Sequence, residues 1–197
     1  MIAILQGGLF AIAIILALAV PANSGPFEDA KAAYQREDYA GAFKFWRPLA
    51  ELGHARAKYN LGLMYRDGQG VPQDDTEALK WFRKAAEQGD ADGQVLLGFL
   101  YEIGLGVPQE DAQAVKWYRL AAEQGDATAQ YNLGVMYANG QGVPSDKVLA
   151  HMWWNIAASS GDGNAPKNRD IVASDMTRDQ IAEAQRMARE WLAKHQQ

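Results

Sequence analysis

The chain has 197 residues, of which 24 are acidic, 19 are basic and none is cysteine. The basic residues form no cluster or stripe, so nucleic acid is not an expected partner. Without cysteine the chain can form no disulfide, thiolate metal site or thiol nucleophile. An aromatic content of 10% argues against disorder, and the length suits one elongated domain.

Residues 1–22 differ in composition from the rest of the chain. An unbroken apolar run covers residues 9–20, and the small or apolar residues Val20, Pro21 and Ala22 follow the pattern that a signal peptidase reads. We therefore expect a signal peptide over residues 1–22 and a periplasmic or secreted protein. The run lacks a preceding Lys or Arg, which leaves two alternatives open. One is an inner-membrane anchor formed by residues 2–20, since about 20 apolar residues can span a bilayer; the other is a misassigned start or a cytoplasmic protein. In every case membrane contact is expected only through this leader.

Residues 23–52 are expected to form an N-terminal capping unit. The segment 33–42 has the helix-turn-helix pattern of a tetratricopeptide unit, with a tight turn at Glu37 and Asp38. Trp46 and its apolar neighbours then predict a second helix that docks on the unit after it.

A 36-residue unit recurs three times, over residues 53–88, 89–124 and 125–160. A fixed period in this range is typical of a solenoid, in which each unit buries its apolar face against its neighbours. Each unit predicts two antiparallel helices joined by a glycine loop, named helix A and helix B in chain order. In the first unit we place helix A at about residues 55–66 and helix B at about residues 76–88.

Glycine recurs inside helix A at Gly62, Gly98 and Gly134. A glycine inside a helix costs about 1 kcal/mol relative to alanine, so three at one register predict that helix B approaches closely there. One tryptophan register of helix B is expected to fill the layer between units: Trp81, Trp117 and Trp153.

The loop of the first unit carries its own stop and start signals. Gly68 is expected to end helix A in the left-handed conformation, Gly70 to allow a second bend and Pro72 to fix φ before helix B. Asp74 and Glu77 resemble a capping box at the start of helix B.

These units resemble the Sel1-like repeat family, which is related to tetratricopeptide repeats. The resemblance covers residues 53–160 and lies in the Leu-Gly-x-x-Tyr step, the Gly-x-Gly-Val loop, the Ala-x-x-Trp of helix B and the Ala-Ala-x-x-Gly ending. It implies an all-α, right-handed α-solenoid of antiparallel helix pairs that serves as a protein-interaction scaffold. It implies no catalytic or cofactor-binding residue.

Residues 161–197 are expected to form a partial repeat and a C-terminal capping helix. Pro166 occupies an early helix position and no glycine loop follows it. Thr177 and Gln180 have the spacing of a capping box. The amphipathic helix after them should seal the open end of the solenoid.

No motif predicts an enzyme, a metal site or a cofactor. The histidines His54, His151 and His195 are far apart in sequence, and His151 is expected to be a partly exposed helix residue. The Gly68-x-Gly70 pair follows a helix instead of a strand, which does not fit a dinucleotide fingerprint. Two alternatives to a scaffold stay open: a cell-wall-directed hydrolase or β-lactam-binding protein, for which no nucleophile is evident, and a structural spacer in an envelope assembly.

A partner is expected on the A helices, which line the concave face in related solenoids. The predicted binding residues are Tyr59, Leu63, Arg66, Val95, Phe99, Glu102, Tyr131 and Val135. Phe99 is the predicted centre of an apolar groove for a protein or peptide. The alternative is that these residues only pack between neighbouring A helices. A groove residue must be exposed in the free protein, whereas a packing residue must be buried.

Overall fold

The chain folds as an all-α solenoid, as the repeats predict. The structure, a computed structural model, describes residues 25–195, and the leader predicted over residues 1–22 lies outside them. The described residues contain ten helices and no strand: α1 (Pro26–Gln35), α2 (Tyr39–Glu51), α3 (Ala55–Asp67), α4 (Asp75–Glu87), α5 (Ala91–Ile103), α6 (Asp111–Glu123), α7 (Ala127–Asn139), α8 (Lys147–Ser159), α9 (Ala165–Ala173) and α10 (Arg178–His195). Each helix up to α9 packs on its neighbours in the chain, and α10 packs on α8. Between Gly25 and His195, no helix is both long enough and apolar enough to cross a bilayer.

The glycine loops have the predicted geometry. Gly68, Gly104 and Gly140 end α3, α5 and α7 in the left-handed region, with φ of 66°, 72° and 71°. The second glycine of each loop also has positive φ. Each loop therefore bends at two glycines whose positive φ a residue with a side chain rarely adopts.

Side-chain caps start the A helices. Asp90 accepts a hydrogen bond from the backbone N–H of Gly93 at 2.9 Å, and Asp126 does so from Ala129 at 2.8 Å. At the first junction, where the sequence has histidine instead of aspartate, the Nδ1 atom of His54 accepts from the N–H of Ala57 at 3.3 Å. A ring nitrogen thus takes the place of the carboxylate oxygen as N-cap acceptor.

Within each pair of helices, the aromatic ring that packs against the glycine of helix A comes from the residue after the predicted tryptophan. A Cβ at Gly98 would lie 2.8 Å from the Tyr118 ring, and the rings of Phe82 and Trp154 occupy the same place against Gly62 and Gly134. The helical glycines therefore admit an aromatic ring, which explains their recurrence.

The tryptophan prediction is wrong for the middle unit. Tyr118 is fully buried, whereas the adjacent Trp117 is only half-buried. Consecutive helix residues point about 100° apart, so only one of two adjacent aromatics can face the glycine. Trp81 is also half-buried, and Trp153 is buried because α10 covers it.

The C-terminal helix α10 begins at the predicted capping box. The N–H of Thr177 donates to Oε1 of Gln180 at 2.8 Å, and the N–H of Gln180 donates to Oγ1 of Thr177 at 3.2 Å. Ala184 and Ala188 are buried in the core that includes Trp153, whose ring meets that of Trp191 edge-on at 5.8 Å. The amphipathic helix thus covers the last full pair, as its pattern predicts.

His151 is buried, so the expectation of a partly exposed residue is wrong. Only 3% of its surface is accessible. Its Nδ1 atom lies 3.0 Å from Nδ2 of Asn155. The Oδ1 atom of Asn155 accepts a hydrogen bond from Arg169 of α9 at 3.3 Å. Burial lowers the pKa of His151, and the nearby Arg169 lowers it further. The cover comes from α9, which lies outside the three repeats.

Candidate protein interface

A shallow cleft crosses the A helices α3, α5 and α7. We call it the central cleft. It is lined by Tyr59, Asp92, Val95, Leu96, Phe99, Asp126, Thr128 and Asn132. Phe99 is 45% exposed, which meets the condition set for a groove residue. Three predicted binding residues, Tyr59, Val95 and Phe99, therefore meet around one opening.

Three other predicted residues lie elsewhere. Leu63 lines a separate opening between α1 and α3. Tyr131 and Val135 pack against the core of α8 and α9, and the Tyr131 hydroxyl accepts a hydrogen bond from Nδ2 of Asn168 at 2.9 Å. Helix α9 occupies the place where a further A helix would follow, so the predicted apolar ladders do not continue as a free groove through the third unit.

The arginines on this face are paired within the chain. Arg56 binds Asp92, lies 3.5 Å from Asp90 and sits over the Tyr59 ring at 5.3 Å. Arg66 donates two hydrogen bonds to Asp67, at 2.7 and 2.9 Å, and this pairing lowers the pKa of Asp67. Neither guanidinium is left unpaired to bind an anionic partner.

Glu102 is different, because a neutral donor holds it. The hydroxyl of the buried Tyr118 donates to Oε2 of Glu102 at 2.7 Å. Burial raises the pKa of Tyr118, so the hydroxyl keeps its proton. No ion pair among residues 25–195 involves Glu102. Its half-buried carboxylate is therefore held in place by this hydrogen bond.

A second opening, which we call the loop cleft, lies on the other side of Phe99. Its volume is about 360 Å³, and it is lined by Arg66, Asp75, Ala78, Leu79, Phe82, Leu96, Phe99, Leu100, Leu105 and Gly106. Phe99 and Leu96 line both openings, so they form the wall between them.

The sequence contained a signal for this cleft that the repeat pattern hid. Three positions are apolar in the second unit and polar in the first and third. Leu96 replaces Asn60 and Asn132, Ile103 replaces Asp67 and Asn139, and Leu105 replaces Gln69 and Gln141. Comparison of the units with one another, residue by residue, would have found these positions.

One family model matches the repeats of this chain. The Sel1 repeat model matches four segments, residues 31–54, 55–90, 91–126 and 127–162. The chain belongs to the Sel1 repeat family. Sel1 repeats mediate protein–protein interactions, and the family is generally one of non-catalytic scaffolds.

Two solved structures of Sel1 repeat proteins resemble this chain closely. One, from Oxalobacter formigenes, is 38% identical with a TM-score of 0.62, and the match covers 64% of this chain and 94% of that one. The other is a protective antigen of uropathogenic Escherichia coli strains, 35% identical with a TM-score of 0.71, over 87% of this chain and 37% of that one.

The curated relatives match over shorter segments. An exopolysaccharide production negative regulator of Rhizobium leguminosarum bv. viciae is 41% identical over 61 residues, which is 29% of this chain and 23% of that protein. The DAP3-binding cell death enhancer 1 of Rattus norvegicus is 40% identical over 37 residues, 19% of this chain and 7% of that protein. The chain thus matches less than a quarter of each of these two relatives.

Proposed function

We propose that this chain is a non-catalytic scaffold of the cell envelope that binds a protein or peptide partner on its A helices, with Phe99 at the centre of the contact. The observation that carries the proposal is the exposed Phe99 ring between two openings in the middle unit. A large apolar side chain with this exposure and central position is typical of an interface anchor.

The alternative of a structural spacer fits this face less well. A spacer needs a polar surface between its contacts, whereas Phe99, Ile103 and Leu105 are 45%, 47% and 62% exposed.

The envelope location rests on the composition of residues 1–22 and on the name of the Rhizobium relative, a regulator of exopolysaccharide production. It is tested by the intact mass of the protein expressed in a Gram-negative host. Cleavage after Ala22, with the product in the periplasmic fraction, is expected. A soluble cytoplasmic product that keeps Met1 would contradict export.

Binding is tested by affinity capture from envelope extracts with the mature chain as bait. Phe99→Ala should remove the captured partner while leaving the free energy of unfolding nearly unchanged, since the ring is half exposed. The matched control is Phe45→Ala, because Phe45 of α2 is 43% exposed and lies outside both clefts. Equal capture by both variants would contradict the central role of Phe99.

A further inference from the structure

The loop of the second unit stands away from the helix that the other two loops touch. A Cβ at Gly70 would lie 2.7 Å from the backbone of Tyr39, at the start of α2, and a Cβ at Gly142 would collide with the backbone of Asp111, at the start of α6. The equivalent neighbour of Gly106 is Asp75, yet the backbone of Asp75 is not within 4 Å of that Cβ position.

This displacement opens the loop cleft. Only the Leu79 side chain approaches the Cβ position of Gly106, at 3.2 Å. The space left between the loop and α4 accounts for a cleft of about 360 Å³ with Asp75 and Gly106 on opposite sides. An apolar cavity of about 150 Å³ holds a benzene molecule, so the loop cleft has room for one large apolar side chain.

The repeat fold does not require apolar residues at the three positions where the second unit has Leu96, Ile103 and Leu105. The first and third units form the same helices and the same left-handed turns with Asn, Asp or Gln at the positions of Leu96, Ile103 and Leu105. The flanking units therefore serve as internal controls, and we look for the reason for the three apolar residues in binding instead of folding. Ile103 and Leu105 remain largely exposed and extend the apolar surface outward from Phe99. Such a patch marks an interaction site.

The charge beside the cleft is acidic. Arg66 at its rim is held by Asp67, so it contributes no free positive charge. Asp75, also at the rim, is exposed and takes part in no ion pair within residues 25–195. A cation brought by a partner would therefore be attracted to this rim.

We propose that the loop cleft receives one large apolar side chain of a peptide segment that also carries Lys or Arg within a few residues. The basic side chain pairs with Asp75 at the rim of the cleft. The inference rests on the proposed function and names the partner chemistry of its site. It requires a basic apolar segment, not an acidic one.

The first test uses phage-displayed random peptides selected on the mature full-length protein. Enriched sequences should combine a large apolar residue with a nearby Lys or Arg. Enrichment of acidic sequences, or no enrichment, would overturn the inference. The envelope capture with Phe99→Ala judges the broader proposal separately, so the two can fail independently.

The second test measures the affinity of the best selected peptide by fluorescence anisotropy. Leu105→Gln, which restores the residue of the flanking units, should weaken binding by about tenfold. Leu120→Gln is the matched control, because Leu120 is exposed on α6 away from the loop cleft. Asp75→Asn removes the unpaired charge from the rim, and it should weaken binding most at low salt.

The outcomes separate the two ideas. Peptide binding that Phe99→Ala abolishes but Leu105→Gln leaves unchanged would overturn the loop cleft as the site and leave the A-helix surface intact. Equal losses in Leu105→Gln and Leu120→Gln would also overturn it. A loss in Leu105→Gln that Leu120→Gln does not share, together with a salt-dependent loss in Asp75→Asn, supports both the site and its partner chemistry.

Discussion

Tyr118 is the side chain on which the middle unit depends most. Its ring is fully buried against Gly98, and its hydroxyl donates to Glu102 at 2.7 Å. Replacing Tyr118 by alanine leaves a cavity where the ring was. Gly98, on the opposite side of that cavity, has no side chain that could move in to fill it. We expect Tyr118→Ala to lower the free energy of unfolding by about 3–5 kcal/mol, the range for a buried aromatic.

Two further variants separate the ring from its hydroxyl and from its neighbour. Tyr118→Phe keeps the ring and should cost about 0.5–1.5 kcal/mol, the net value of one hydrogen bond, because the half-buried Glu102 can turn to water. Trp117→Ala removes a larger ring, but one that is only half-buried. Its cost should be about 1–2 kcal/mol, since it loses correspondingly less burial.

The assay is urea denaturation followed by far-ultraviolet circular dichroism, which does not depend on the tryptophan that one variant removes. Lys116→Ala, an exposed change on the same helix, should stay within about 0.5 kcal/mol of the parent. If Trp117→Ala proves as costly as Tyr118→Ala, the assignment of the ring that fills the layer between α5 and α6 is wrong.

Three other changes test the loops, the buried histidine and the caps. Gly104→Val should cost about 1–3 kcal/mol in urea melts, because φ is +72°; Gly163→Val, which has open space and no positive φ, should be nearly neutral. Burial lowers the pKa of His151, so the unfolded chain binds a proton that the folded chain resists. Stability should be full above about pH 6.5, the unfolded pKa, and should decline as the pH falls below it. His151→Gln should flatten that slope in melts repeated across the range. Asp126→Ala should lower the melting temperature by removing a cap worth about 0.5–2 kcal/mol, with Thr128→Ala as the neutral comparison.

The helix ends within each repeat could be predicted from the sequence because the signals that set them are local. Left-handed glycines, N-cap aspartates and the Thr177–Gln180 box each depend on residues within one turn of each other. Such interactions are readable from spacing alone.

The errors arose where the answer depends on packing between elements. Trp117 and Tyr118 are adjacent aromatics, and periodicity alone does not say which one faces Gly98. His151 is buried by contacts with α9, a helix outside the repeat pattern. At the candidate site, Tyr59 and Val95 share one register on neighbouring helices, and Phe99 lies one turn after Val95 on α5, so the three line one opening. Tyr131 does not join them, because α9 binds it instead.

The displaced loop at Gly106 also bears on stoichiometry. A surface built from equivalent repeats offers a ligand several sites of equal energy, offset from one another by one unit, and a ligand could shift between them. Because the loop of the second unit differs from the other two, the sites along the array are no longer equal in energy. A partner that inserts its apolar side chain there is fixed at one position along the array, and each solenoid then carries one copy of it.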